Sequence, residues 1–154
     1  MTLSTVIATW FASGLLKPAP GTWGSAAALP FAWAIATFLD PLALIPAAAI
    51  LFPVGCWAAD RYDRDKGSHD ASEIVVDEVV GVWLTLSIVP VDWLHYAIGF
   101  AAFRLFDIIK PWPIRWVDRR VSGGFGVMLD DVLAAIYAMA TVYGIGFVVA
   151  GGIL

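Results

Sequence analysis

Nearly all charged residues in this sequence lie in two short segments, and this segregation limits the possible fold more than any other feature. Of the 22 charged residues, 13 acidic and 9 basic, ten lie between residues 60 and 78 and nine between 104 and 131. Of the whole chain of 154 residues, 60% are hydrophobic and only 14% charged, whereas soluble domains average about 45–50% apolar and about 25% charged residues. The composition therefore excludes a disordered chain and a basic nucleic-acid-binding domain, and it predicts a membrane protein with no nucleic-acid partner.

The apolar stretches between the charged segments predict the helices. An ionised side chain at the bilayer centre costs about 2.5–3.5 kcal/mol, and a spanning helix needs about 20 apolar residues. We therefore predict an all-α fold in which residues 1–154 form a single domain, a polytopic membrane helix bundle of about five helices. Residues 2–16 are short for a span and predict a short N-terminal interfacial or re-entrant helix. The predicted spanning helices are residues 24–39, 42–59, 72–90, 93–109 and 130–153.

Basic residues predict the orientation of this bundle. The predicted turns at Asp40-Pro41 and Val91-Asp92 contain no Lys or Arg, so the basic residues lie on the opposite side of the membrane. An excess of Lys and Arg marks the cytoplasmic face. We therefore expect a multi-pass protein of the inner (cytoplasmic) membrane whose charged loops face the cytoplasm.

Four acidic residues, Asp70, Glu73, Asp77 and Glu78, lie near the start of the predicted helix 72–90. Asp70 followed three residues later by Glu73 is typical of a capping box, and this interpretation stays open beside a chemical role. A cap does not explain Asp77 and Glu78, which lie farther into the helix between pairs of valines. Buried adjacent carboxylates need a cation or hydrogen-bond donors to compensate them, so a divalent metal is the expected partner.

Arg104, Asp107 and Lys110 recur at every third residue near the end of the predicted helix 93–109, so Asp107 can neighbour both cations. Two interpretations stay open. The three residues form an ion-pair ladder whose long basic side chains reach the interface, or they form a phosphate-binding pair beside a metal-binding or catalytic carboxylate.

A glycine-rich stretch, residues 123–126, leads to the acidic pair Asp130 and Asp131. Aspartates at the start of a helix are commonly caps that interact with the helix dipole. Because one aspartate is enough for a cap, the second indicates a further role in binding or catalysis.

Lys17, Gly21, Thr22 and Ser25 lie in the loop that opens the first predicted spanning helix. Backbone N–H groups at a helix N-terminus suit an anion, although the spacing is not that of a P-loop. The two histidines fall on opposite predicted sides of the membrane and the one cysteine stands alone, so we expect neither a zinc site nor a Ser-His-Asp triad. Ligands limited to oxygen favour Mg²⁺.

Four segments of the chain carry a resemblance to a known family: PGTWGS (20–25), IVVDEVVG (74–81), FRLFDIIKPWPIRWVDR (103–119) and GGFGVMLDD (123–131). In this order and spacing they resemble the phosphatidylglycerophosphatase A family, over about residues 10–150. The resemblance implies a membrane enzyme that uses Mg²⁺ to remove the terminal phosphate of phosphatidylglycerophosphate, a phospholipid substrate, with the active site at the cytoplasmic face.

The resemblance also implies roles for individual residues; Lys17 is added to them because it lies in the loop interpreted above as anion-binding. The implied catalytic residues are Asp77, Glu78, Asp107, Asp130 and Asp131. The implied metal ligands are Glu73, Asp77, Glu78, Asp107 and Asp131. The implied substrate-binding residues are Lys17, Gly21, Thr22, Ser25, Arg104 and Lys110. Whether one carboxylate acts as a base or as a nucleophile stays open, and the sequence does not predict an oligomeric state.

Two other functions are consistent with an acidic membrane protein. Intramembrane carboxylates commonly line a cation or proton pathway, but here the acids cluster at one face. Another enzyme acting on lipid headgroups, such as an alcohol phosphotransferase, would typically contain a DGxxAR-type run, and this sequence has none.

Overall fold

The computed structural model describes residues 1–151, and all regular secondary structure in this part of the chain is helical. The all-α prediction is therefore confirmed. Short 3₁₀ turns at Ser13–Leu15 and Pro41–Ala43 precede longer helices. Residues 152 and 153 of the predicted helix 130–153 lie outside the described residues. The α-helices within residues 1–151 are α1 (Leu3–Ala8), α2 (Pro20–Phe38), α3 (Leu44–Lys66), α4 (Val76–Leu86), α5 (Trp93–Ile109), α6 (Ile114–Arg120) and α7 (Gly123–Val149).

Helix α4 forms the centre of the bundle and packs against α2, α3, α5 and α7. Every residue of α4 except Asp77 and Leu84 is buried, as expected for a helix surrounded on all sides. Gly81 allows its neighbours to approach closely, because a methyl group there would overlap the Phe103 ring and lie 3.1 Å from the Asp131 carbonyl oxygen. The core of the protein is therefore built around α4.

Helix α4 is shorter than the predicted helix 72–90. Its 11 residues are about 16 Å long at about 1.5 Å per residue, whereas a bilayer core is about 30 Å thick. The helix starts after the predicted residue 72 because Asp63 on α3 holds the preceding loop. The Asp63 carboxylate accepts a hydrogen bond from the Asp70 N–H in this loop at 2.7 Å. The capping-box interpretation is wrong, since Val75 is the N-cap residue and Glu73 lies before it.

Two helical stretches indicate an association with the membrane. Pro41–Lys66 and Gly123–Val149 are long and apolar enough to cross a bilayer. Only 28% and 22% of their apolar windows are buried inside the protein, whereas a core helix of a soluble protein is mostly buried. The bounds of α2 and α5 are close to those of the predicted helices 24–39 and 93–109.

Helix α7 begins well before residue 130, where the sequence analysis placed its start. The Asp60 carboxylate on α3 accepts a hydrogen bond from the Gly124 N–H at 2.6 Å, which satisfies one of the free donors in the first turn of α7. Asp130 and Asp131 consequently lie in the third turn of α7. Their interpretation as helix caps is therefore wrong.

Two short helices complete the bundle. Helix α1 packs against α3, and its Ala8 carbonyl accepts a hydrogen bond from the Val75 N–H at 2.8 Å, just before α4. A short N-terminal helix agrees with the prediction for residues 2–16, and its depth in a membrane stays a prediction.

Helix α6 was not predicted. It packs against α7 and buries Ile114 and Val117, three residues apart on one face.

Candidate active site

Three aspartates converge inside the bundle. One carboxylate oxygen from each of Asp77, Asp130 and Asp131 lies within 4.8 Å of the others. Asp77 lies in the first turn of α4 and the other two lie on α7, so the packing of α4 against α7 brings the three together. These three residues are called the aspartate cluster below.

The aspartate cluster is largely buried, and one oxygen of each carboxylate lacks a hydrogen-bond donor among residues 1–151. Asp130 and Asp131 are only 5% and 2% exposed. Within residues 1–151, no protein group hydrogen-bonds Asp77 Oδ1, Asp130 Oδ1 or Asp131 Oδ2, and all three atoms are buried. Buried charges of this kind are unfavourable unless they are paired or coordinate a metal. Three carboxylates with free oxygens fit a hard divalent cation, which takes oxygen ligands.

A second polar group lies beside the aspartate cluster and joins α2, α4 and α5. The Ser25 hydroxyl donates a hydrogen bond to Glu78 Oε2 at 2.7 Å, and Arg104 Nη1 lies 3.3 Å from Glu78 Oε1. Arg104 also forms an ion pair with Asp107, one turn farther along α5. Glu78 and Asp107 are therefore compensated by protein groups, whereas the free oxygens of the aspartate cluster are not.

Gly21 allows the start of α2 to lie against this polar group. A methyl group at this position would overlap Glu78 Oε1 and lie 3.1 Å from Arg104 Nη2. Any larger residue would therefore displace the ion pair between Glu78 and Arg104. The sequence analysis placed Gly21 and Ser25 in one anion-binding loop, and both contact Glu78.

Lys110 connects the aspartate cluster to α6. It follows the last residue of α5, and its Nζ donates to Asp130 Oδ2 and to Asp118 Oδ1, both at 2.9 Å. Burial by itself lowers the pKa of Lys110, but the two hydrogen bonds outweigh burial and raise this pKa above its ordinary value. Lys110 is therefore a cation. The ladder interpretation is correct only for Arg104 and Asp107, because Lys110 pairs with Asp130 and Asp118 instead.

Three predicted site residues form no hydrogen bond or ion pair with these groups in the described part of the chain. The Glu73 carboxylate forms an ion pair with Lys66 at the end of α3. Lys17 and Thr22 are exposed at the protein surface. The structure does not bring these three residues to the aspartate cluster, and their roles in binding stay predictions.

The sequence analysis missed two acidic residues near the site, Asp60 and Asp118. Both line a cavity of about 600 Å³, together with residues of α3, of α7 and of the loop before α4. Asp118 lies on α6, which was not predicted, so nothing in the sequence spacing linked it to Lys110. The only available signal was its place inside the segment 103–119, which carries the family resemblance.

Comparisons with known proteins identify the family of this chain. The matching family model is described as phosphatidylglycerophosphatase A and covers residues 6–146. A Haemophilus influenzae protein of that name is 43% identical over 143 residues, which are 92% of this chain and 88% of the relative. An Escherichia coli protein of the same name is 44% identical over 143 residues, which are 92% of this chain and 82% of the relative.

A third relative carries a different name. A Bacteroides thetaiotaomicron protein, provisionally named a phosphatidylinositol-3-phosphatase, is 42% identical over 144 residues, covering 88% of this chain and 89% of the relative. No solved structure matches the chain significantly. The family model covers every residue of the candidate site, and the identity to its named members extends over most of the sequence. The chain therefore belongs to the phosphatidylglycerophosphatase A family.

Proposed function

We propose that this protein is a Mg²⁺-dependent phosphatidylglycerophosphatase. It hydrolyses the terminal phosphomonoester of phosphatidylglycerophosphate and releases phosphatidylglycerol and phosphate. The observation that carries the proposal is the aspartate cluster, in which each carboxylate keeps one buried oxygen without a partner among residues 1–151, while Lys110 pairs with Asp130 and Arg104 pairs with the neighbouring Glu78. Membership of the family gives the substrate, because the named relatives are phosphatidylglycerophosphatases.

The residues that would hold the metal are Asp77, Asp130 and Asp131. Their oxygens suit Mg²⁺, which is bound by carboxylates together with water and phosphate groups. A bound Mg²⁺ supplies a Lewis acid that neutralises phosphate charge and lowers the pKa of a bound water molecule. Glu78 and Asp107 were also predicted to be ligands. We propose that they instead hold the Arg104 guanidinium, since both already pair with it.

Arg104 and Lys110 are proposed to bind the phosphate oxygens. The guanidinium offers a planar fork of donors, and its Nε lies buried with no hydrogen-bond partner among residues 1–151. Lys110 would act as a point charge, held by Asp118 and Asp130. Phosphoryl transfer depends mainly on positioning and on charge stabilisation of this kind.

The overall reaction is the hydrolysis of a phosphate monoester. The bond between phosphorus and the glycerol oxygen breaks, this oxygen gains a proton, and phosphorus gains the oxygen of water. Two routes fit the arrangement: water attacks directly, or a carboxylate of the site attacks first and water then releases the phosphate. In either route, we propose that a carboxylate of the site accepts the proton that the attacking water loses.

We propose that the site faces the cytoplasm from the inner membrane. From Gly21, beside Glu78, helix α2 extends for about 26 Å to its end at Phe38 (about 1.5 Å per residue). The turns near Asp40 and Asp92 follow at that far end and contain no basic residues, while the basic residues concentrate at the end with the carboxylates. This distribution supports a cytoplasmic site under the positive-inside rule.

The proposed topology is a multi-pass bundle in which α2, α3, α5 and α7 surround α4. The short helix α4 does not cross the bilayer alone, so its crossing is completed by residues 87–92. The apolar exposed faces of the long helices would lie against lipid chains, which allows a phospholipid to approach the site from within the leaflet. The substrate phosphate and the aspartate cluster would then lie at the same depth.

The test is phosphate release by the purified protein in mixed micelles. We expect release from phosphatidylglycerophosphate with Mg²⁺ and none with a chelator. We expect Asp131→Asn to lose at least about a hundredfold in kcat, because it changes the charge that binds the metal. The matched control is Asp65→Asn, an exposed aspartate that pairs with Arg61 at 3.3 Å, and it should retain wild-type activity. Full activity in chelator, or in Asp131→Asn, would contradict the proposal.

A second substrate is suggested by the Bacteroides thetaiotaomicron relative, whose provisional name refers to phosphatidylinositol 3-phosphate. Both lipids present a phosphomonoester on a polyol headgroup, and the two hypotheses differ only in which headgroup is accepted. A panel of phosphatidylglycerophosphate, phosphatidylinositol 3-phosphate and phosphatidic acid at equal surface concentration distinguishes them. We expect the highest kcat/KM for phosphatidylglycerophosphate.

A non-enzymatic cation or proton pathway is the remaining alternative. The carboxylate oxygens without partners among residues 1–151 favour it only in a general way, because the three aspartates form one cluster rather than a row along the bundle. Cation flux into liposomes without any dephosphorylation of lipid would support a pathway and contradict the phosphatase.

A further inference from the structure

Helix α6 and the end of α5 form a groove that the proposed reaction does not use. The groove has a volume of about 480 Å³. We call it the α6 groove. The residues that define it here are Ile109, Trp112, Arg115, Trp116, Arg119 and Arg120. Lys110, which holds Asp130, also lines its inner edge, so the groove opens beside the candidate active site.

The three arginines of the α6 groove have no carboxylate partner within residues 1–151. None of Arg115, Arg119 and Arg120 forms an ion pair there, although the whole chain has a net charge of −4. The neighbouring acid, Asp118, is paired with Lys110. Arg115 donates one hydrogen bond, to the Ile109 carbonyl at 3.1 Å. The groove therefore offers positive charge that the described protein does not neutralise.

The same groove exposes large apolar surfaces. Trp112 is 77% exposed and Trp116 is 52% exposed, and Ile109 beside them is also exposed. Tryptophan next to arginine, at the end of an apolar helix, is typical of a segment at the interface between lipid headgroups and acyl chains. The opposite face of α6 buries Ile114 and Val117, so the helix is fixed with its basic and aromatic face outward.

From this surface we infer that the α6 groove binds the headgroup phosphate of an anionic phospholipid in the surrounding leaflet, in addition to any substrate. The arginines would contact the phosphodiester, and the two tryptophans would lie at the level of the headgroups. A nucleic acid fits this surface less well, because the protein carries net negative charge and the arginines adjoin exposed apolar residues. The inference needs a membrane-embedded bundle and does not depend on which lipid is hydrolysed.

Binding of fluorescent phosphatidylserine to the purified protein in non-ionic detergent micelles tests this inference. Phosphatidylserine is anionic but has no phosphomonoester, so the proposed reaction does not consume it. Each basic residue near an anionic lipid surface contributes about 1 kcal/mol, which is about fivefold in affinity. We therefore expect the double variant R119Q/R120Q to bind phosphatidylserine about 25-fold more weakly than wild type, and we expect unlabelled phosphatidylcholine to compete poorly.

The matched control removes two arginines elsewhere at the same end of the bundle. Arg61 and Arg64 on α3 are exposed, and R61Q/R64Q changes the net charge by the same amount. This control should bind phosphatidylserine like wild type. Both double variants should release phosphate normally in micelles with saturating substrate, which shows that they are folded. Unchanged affinity in R119Q/R120Q, equal weakening in R61Q/R64Q, or equal competition by phosphatidylcholine would each overturn the inference.

Discussion

Replacing Gly21 by alanine should strongly lower the catalytic efficiency of the enzyme without unfolding it. The added methyl group would overlap Glu78 Oε1 and lie 3.1 Å from Arg104 Nη2, so the carboxylate and the guanidinium must move apart. Their side chains are only 11% and 15% exposed, which leaves little space for relaxation. A misplacement of about 1 Å in an active site can cost about a hundredfold in rate. We therefore expect kcat/KM for phosphatidylglycerophosphate to fall about a hundredfold.

The stability change in this variant should be small by comparison. Alanine is favoured over glycine by at most about 1 kcal/mol in a helix, which partly offsets the disturbed ion pair. Phosphate release in mixed micelles with Mg²⁺ measures the first effect, and thermal unfolding in detergent measures the second. The matched control is Gly144→Ala on α7, where an added methyl group meets nothing within 4 Å. Wild-type kcat/KM in Gly21→Ala would refute the assignment of Glu78 and Arg104 to the site.

Three further substitutions test separate contacts. Asp118→Asn removes one of the two charged partners of Lys110. Because that pair is partly exposed, we expect transition-state stabilisation to fall by about 1 kcal/mol, which lowers kcat/KM about fivefold. An unchanged kcat/KM would contradict a role of Asp118 in positioning Lys110. Asp60→Ala removes the acceptor for the Gly124 N–H and should lower the free energy of unfolding by about 0.5–2 kcal/mol in denaturant titrations, an effect that Asp65→Ala should not reproduce. Glu73→Gln should retain activity within about twofold if Glu73 only pairs with Lys66, whereas a loss of a hundredfold would restore Glu73 as a metal ligand.

The sequence predicted those features of the fold that depend on the boundary between the apolar membrane core and water. Charges are costly in a bilayer, so the apolar segments gave α2 and α5 nearly at their observed bounds. The same reasoning singled out Asp77, because a buried carboxylate without a structural role needs a chemical one. The roles predicted for Asp130 and Asp131 came mainly from the family resemblance, since their place in the sequence also fitted helix caps.

Features that depend on contacts between distant segments could not be predicted. The length of α4 depends on Asp63, which holds the loop before it, and the start of α7 depends on Asp60 on another helix. Asp60 and Asp63 both lie in the charged segment 60–78, whose start was interpreted as a loop exposed to water. Helix α6 has only 7 residues, too few for a clear periodic pattern, so the pairing of Asp118 with Lys110 became visible only in the structure.

The central claim is that Asp77, Asp130 and Asp131 together bind a divalent cation, and Mn²⁺ binding measured by electron paramagnetic resonance tests it most directly. We expect the purified protein to bind Mn²⁺, and Mg²⁺ to displace it. Asp131→Asn should weaken this binding by at least about tenfold, while Asp65→Asn should leave it unchanged. Equal Mn²⁺ affinity in wild type and Asp131→Asn would contradict the claim.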